Sequence, residues 1–274
     1  MRWGELAGAA AAALALAHGA QAGLRVDLRS TQPGEAPGAA ELYVIWIDGS
    51  RLAAEPVRKA GEPASRRVIY RAAEDLAWLV DVERRSYFQL DPASAEKSAA
   101  QVAGVRGGLA QGIELLPPEQ QAAARELLGD LAEEPPSAPL PELRLRALGE
   151  PGSYAGIACA RHDVLAGDRR LAVVCLGEYG KGLPPRERVA AIGSLGGFLR
   201  RTLTPLARQF PDLRPLAALG ALERLPGFPL ALRSFEDRGG ARLAEATRVE
   251  EAAVDPSLFE LPAGFTRSSV PPFH

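Results

Sequence analysis

Over most of the chain, hydrophobic and polar residues alternate with a period of two, and in two places the period becomes helical. "GLRVDLRS" (23–30) and "AELYVIWIDGSRLAAEP" (40–56) read as strands. In the second, Tyr43, Ile45 and Ile47 point one way and Leu42, Val44 and Trp46 the other. Both faces are apolar, so this strand is expected to be covered on both sides or to line a cavity. "RRVIYRAAEDLAWLVDVERRSYFQLD" (66–91) reads as three short strands, with polar breaks at Ala73-Glu74-Asp75 and Glu83-Arg84-Arg85 that suggest a meander.

At Asp91 the period changes. Asp91 is suited to cap a helix and Pro92 to occupy its first position. The helical insert covers about 92–132 and breaks at Pro117-Pro118. Gly104, Gly108 and Gly112 form a small-residue stripe, expected to let the helix pack closely on a sheet. "EEPPSAPLPE" (133–142) is a proline-rich hinge and the one internal boundary. Beyond it come a strand, "LRLRAL", a hairpin, a helix from about Pro185 to Ala207, and two further strands, "FPLALRSFED" and "ARLAEATRVEEAAV". The remainder reads as an irregular tail. Antiparallel strands around helical inserts argue for an α+β fold, a curved antiparallel sheet with helices packed on one side.

The first 22 residues stand apart. Arg2, the eleven-residue apolar run from Ala7 to Ala17 and the Ala20-Gln21-Ala22 triplet form a secretory signal peptide pattern, too short to span a bilayer as a helix. Its removal leaves residues 23–274 as a single domain and keeps the formal net charge at −2, since the leader carries one Arg and one Glu. That balance gives no electrostatic footprint for nucleic acid, and no later stretch approaches a transmembrane span. The expected location is the bacterial periplasm or the medium. Among the 32 basic residues only Lys59, Lys97 and Lys181 are lysines, a bias read here as genomic composition.

Export changes the reading of the cysteines. Cys159 and Cys175 are the only two, on "ACARHDVL" and "RRLAVVCL", which flank the turn Ala166-Gly167-Asp168. In a hairpin symmetric about Gly167 they fall directly opposite each other, and an oxidising compartment favours a disulfide. With no CxxC, the bridge is expected to be structural.

Catalytic chemistry finds little support. His162 and His274 are the histidines after the leader, no metal-ligand spacing occurs, and "GSLGG" (193–197) sits inside a helical segment rather than at a strand-to-helix elbow. No catalytic residue, metal or cofactor is expected, and an enzyme is the least favoured class. A concave sheet with two apolar faces suggests instead a binder of lipid or another apolar ligand, with Trp46, Trp78, Val80 and Phe88 as candidate pocket liners, ordinary core packing being their alternative. A structural or protein-interaction module, docking another envelope protein, is the third class.

Several of these segments occur in a familiar order. "WLVDVERRSYFQLD" before a helix, "LLPPEQQAAARELLGDL", "GIACARHDVL" with a strand ending in Cys175, and "FELPAGF" together resemble the DUF4412 family of exported bacterial proteins. The resemblance covers most of the chain after the leader. It implies the fold of the periplasmic lipoprotein carriers, an incomplete, strongly curved antiparallel barrel capped by helices, and implies no established activity. The family's central helices are often methionine-rich, whereas the sole methionine here is Met1. A soft, methionine-lined surface is therefore not expected.

N-terminal sequencing of the exported protein should begin at Gly23. Recovery of a cytoplasmic chain with Met1 intact would overturn the export reading.

Overall fold

The alternating segments assemble into a single twelve-stranded sheet, seen in a computed structural model that describes residues 22–32, 34, 36, 39–57, 64–128, 142–210, 220, 223–235 and 241–269. The leader up to Gln21, and the proline-rich hinge except Glu142, lie outside the described residues. The strands are β1 (Ala22–Thr31), β2 (Glu41–Asp48), β3 (Arg51–Pro56), β4 (Arg66–Arg71), β5 (Leu76–Asp81), β6 (Ser86–Leu90), β7 (Leu143–Tyr154), β8 (Ile157–Ala166), β9 (Arg169–Gly177), β10 (Phe228–Phe235), β11 (Ala241–Ala253) and β12 (Thr266–Arg267). Their order, β12-β6-β5-β4-β3-β2-β1-β11-β10-β9-β8-β7, is linear, so the sheet is open rather than closed into a barrel. Every pairing is antiparallel except the short parallel contact of β12 with β6.

Two meanders make up this sheet. One runs from β1 to β6 and the other from β7 to β11, and they join where β1 pairs with β11 from Ala22↔Ala253 to Thr31↔Leu243. Gly23 is required at this seam, because a Cβ there would lie 2.6 Å from Val254 Cγ2 and 2.7 Å from the Ile47 carbonyl oxygen. The segment 40–56, read as one strand, is in fact a hairpin. Asp48 pairs with Arg51 around a two-residue turn in which Gly49 has φ +56°. Glycine at the first of the two turn positions, followed here by Ser50, is an ordinary signal for such a turn. The breaks at 73–75 and 83–85 both hold a left-handed residue, Asp75 at φ 50° and Arg85 at φ 49°, and Asp81 Oδ1 accepts the Arg84 N–H at 2.9 Å in the second.

Three α-helices accompany the sheet among the described residues. In α1 (Pro92–Glu114), Asp91 caps the N-terminus, its carboxylate accepting the Ser94 N–H at 2.8 Å and the Ser94 hydroxyl at 2.8 Å. Helix α2 (Pro118–Leu128) follows after the Pro117-Pro118 break and buries no residue. The glycine stripe of α1 does not pack on the sheet as expected: Gly104, Gly108 and Gly112 are exposed, with no atom within 4 Å of the place a Cβ would take. Ala95, Ala99 and Ile113 form the buried side of α1 instead.

Helix α3 (Ala190–Gln209), entered through a short 3-10 turn at Arg186–Val189, is the principal cover of the sheet. Ala191, Ile192 and Phe198 bury against Leu24, Ile47, Leu52 and Tyr70 of the first meander and Phe228, Leu230 and Ala246 of the second. The Phe198 and Tyr70 rings meet with centroids 5.1 Å apart.

The tail read as irregular covers the opposite face. A 3-10 turn at Pro256–Phe259 buries Phe259 completely among Ala53, Ile69, Val80 and Val254, while the Arg51 guanidinium lies 4.8 Å from its ring centroid. Replacing Phe259 with Ala should lower the unfolding free energy by about 3–5 kcal/mol. Urea denaturation checks this, and an unchanged midpoint would show that the tail is not part of the core.

Candidate functional site

Two places combine chemistry with unusual packing, and the first is the cysteine hairpin. Its turn is Gly167-Asp168, with Gly167 at φ +61°, and a bulge between Val164 and Leu165 shifts the register. Cys159 therefore pairs with Gly177 and Cys175 with Arg161, so the cysteines are offset by two positions rather than directly opposite. They still share one face, at a Cα–Cα distance of 5.4 Å with sulfurs 2.08 Å apart, in disulfide geometry. Edge strand β7 passes over the sulfurs at Gly152, where a Cβ would come within 2.7 Å of Cys175 Sγ. Both cysteines are buried, which suits a structural bridge.

The second place is a cleft of about 550 Å³ beside α3. Its floor is one side of the helix at Gly193, Ser194 and Gly197, where two residues one turn apart carry no side chain. Tyr70 and Ala72 supply the sheet wall, and Arg186 and Glu187 close one end. At the other end Arg201 Nη2 donates to Asp75 Oδ1 at 2.6 Å, and Arg200 Nη2 donates to Glu223 Oε2 at 3.0 Å. Arg186, by contrast, has no carboxylate partner among the described residues, and its Nη2 lies 3.8 Å from where a Gly193 Cβ would stand. Burial pushes the Tyr70 phenol up to about 12, with Asp75 adding to the shift and Arg201 opposing it. Tyr70 is thus a protonated hydroxyl at neutral pH. The cleft combines an aromatic and glycine floor with a charged rim, which suits an amphiphile better than a purely apolar molecule.

The expected pocket liners do not surround one space. Trp46, Trp78 and Val80 belong to the cluster beneath the Phe259 tail, on the face away from α3. Phe88 pairs with Leu79, one position from the Tyr87↔Val80 pair, so alternation turns it to the other face. In the sequence, Gly193–Gly197 reads only as a failed nucleophile motif. Glycines at i and i+4 in an amphipathic helix were the available sign of a groove. His162 on β8 pairs with Val174 of β9, its Nδ1 3.1 Å from the Ala160 carbonyl oxygen, and no triad forms around it among the described residues. Nor does any group of three His, Cys, Asp or Glu there stand ready to hold a metal. Among the described residues no helix is long and apolar enough to cross a membrane.

No family model and no curated protein matches the chain, so the DUF4412 resemblance has no matching family model behind it. The structure is similar to an uncharacterised conserved protein from Thermus thermophilus, with a TM-score of 0.41, 5% identity and 90% of each chain covered. It is also similar to a chain of the Pseudomonas aeruginosa MucA/MucB complex, at TM-score 0.36 and 11% identity, over 89% of this chain and 56% of that one. A LolA superfamily protein from Nitrosomonas europaea follows at TM-score 0.32 and 10% identity, over 88% and 90%.

Thiol titration of the denatured, unreduced protein should find no free thiol, and two per chain would refute the bridge. The double variant Cys159→Ser/Cys175→Ser should still fold while losing about 3 kcal/mol or less, since the bridge closes a short loop within a large core.

Proposed function

We propose that the chain is an exported, non-catalytic binding protein of the bacterial envelope, and that the cleft beside α3 receives a lipid or another amphiphile. The leader pattern and the buried cysteine pair support the compartment. The observation that carries the binding reading is the cleft itself, whose 550 Å³ falls in the ordinary range for small-molecule sites. Gly193 and Gly197 open it, Tyr70 joins it to the core, and Arg186 presents a charge with no carboxylate partner among the described residues. On this reading the apolar part of the ligand lies along the glycine floor, and its polar end meets Arg186.

A second reading, a module that docks another envelope protein, is favoured by one feature. Leu115 and Leu127, on either side of the α1–α2 break, are each 87% exposed. Two consecutive helices carrying such leucines suit a protein partner, since exposed apolar surface of this kind is costly unless covered.

Native mass spectrometry of the protein purified from its own envelope separates the two. A co-purifying lipid mass supports the first, and a stoichiometric protein the second. Gly193→Leu should remove the lipid adduct by filling the cleft. It should leave the melting temperature unchanged or raised, because its Cβ meets only Arg186 and leucine has the better helix propensity. An adduct that survives this substitution would place the ligand elsewhere.

A further inference from the structure

A second charged site, apart from the cleft, lies where β7, β8 and β9 meet. Asp163 on β8 is fully buried, yet it carries two arginines. Arg146, its cross-strand partner on β7, donates through Nη2 to Oδ2 at 2.5 Å. Arg170 on β9 places Nη1 3.7 Å from Oδ1, an oxygen that makes no hydrogen bond. One arginine balances one carboxylate, so the second is surplus to the neutralisation that burial demands. Both guanidiniums reach solvent, with side-chain exposures of 64% for Arg146 and 54% for Arg170. Arg170 is further held by stacking over the Phe235 ring, 4.9 Å from its centroid.

We propose that Arg146 and Arg170, positioned from below by Asp163 and from the side by Phe235, form a binding site for a phosphomonoester group. Each arginine places one Nη near the buried carboxylate, and a guanidinium carries further N–H donors on a side chain that is here more than half exposed. A terminal phosphate offers three free oxygens and can accept from both forks at once, whereas a carboxylate has two oxygens and matches one fork. The excess positive charge over Asp163 attracts the anion, and the fixed guanidiniums lose little side-chain freedom on binding it. The same chemistry is met by a soluble phosphate compound and by a phosphatidic acid head group.

Replacing both arginines alone would strand Asp163 as a buried, unpaired charge, so the test variant is Arg146→Gln/Arg170→Gln/Asp163→Asn, with its fold verified by its melting curve. The protein lacking its leader is titrated calorimetrically with inorganic phosphate, and floated with phosphatidylcholine vesicles with or without phosphatidic acid. Phosphate binding weakened roughly tenfold or more in the triple variant supports the site with a soluble ligand. Phosphatidic-acid-dependent flotation lost in the variant, without binding of free phosphate, supports it with a lipid head group. Failure of the wild type to bind either, or equal binding by the folded variant, overturns it.

Discussion

The pairing of β1 with β11 holds this molecule together. Among the described residues it is the one ladder that joins the two meanders, and the residues it brings together are far apart in the chain: Arg29 and Glu245, bonded across it, are separated by 216 positions. Closing so long a loop carries an entropy cost, one that grows only slowly with loop length. Helix α3 adds to the ladder by burying Phe198, Ala191 and Ile192 against both meanders at once. Arg188, in the turn leading into that helix, ties it to both seam strands, donating to the Ala22 carbonyl oxygen at 2.6 Å and to Glu251 at 2.7 Å. The cleft beside α3 runs along the side of that helix where Gly193 and Gly197 carry no side chain.

Local elements were legible in the sequence because their causes are local. The Asp91-Pro92 start, the two breaks in the 66–91 meander and the turn near Gly167 all depend on a few neighbouring residues. What could not be read is which strand meets which. Nothing in "GLRVDLRS" distinguishes β11 from any other apolar partner. The Gly49-Ser50 turn had a local signal too, but the apolar run on either side of it continues the same alternation and masks the reversal. Alternation correctly separated Trp46 from Ile47, but only the path of the tail decides that the Trp46 face is filled by Phe259. That segment, rich in Pro and Gly, has no periodicity to announce its role.

The arginine bias, read from the sequence as mere composition, has structural uses. Arg51 stacks over Phe259, Arg71 over Trp78 and Arg170 over Phe235. Each of the three also pairs with a carboxylate, Asp48, Glu74 and Asp163 respectively. A planar guanidinium can cover a ring and grip an acid together, and an ammonium cannot. The charges on the sheet surfaces thus double as lids over aromatic residues.

The cysteine hairpin stands at the far wing from the seam, and its two halves are only 16 residues apart. Both sulfurs precede β11 in the chain, so closing the bridge needs only a local hairpin and not the long-range seam. The outer edge of the second meander is thus fixed by a link between near neighbours, while its inner edge depends on a partner strand from the other end of the chain.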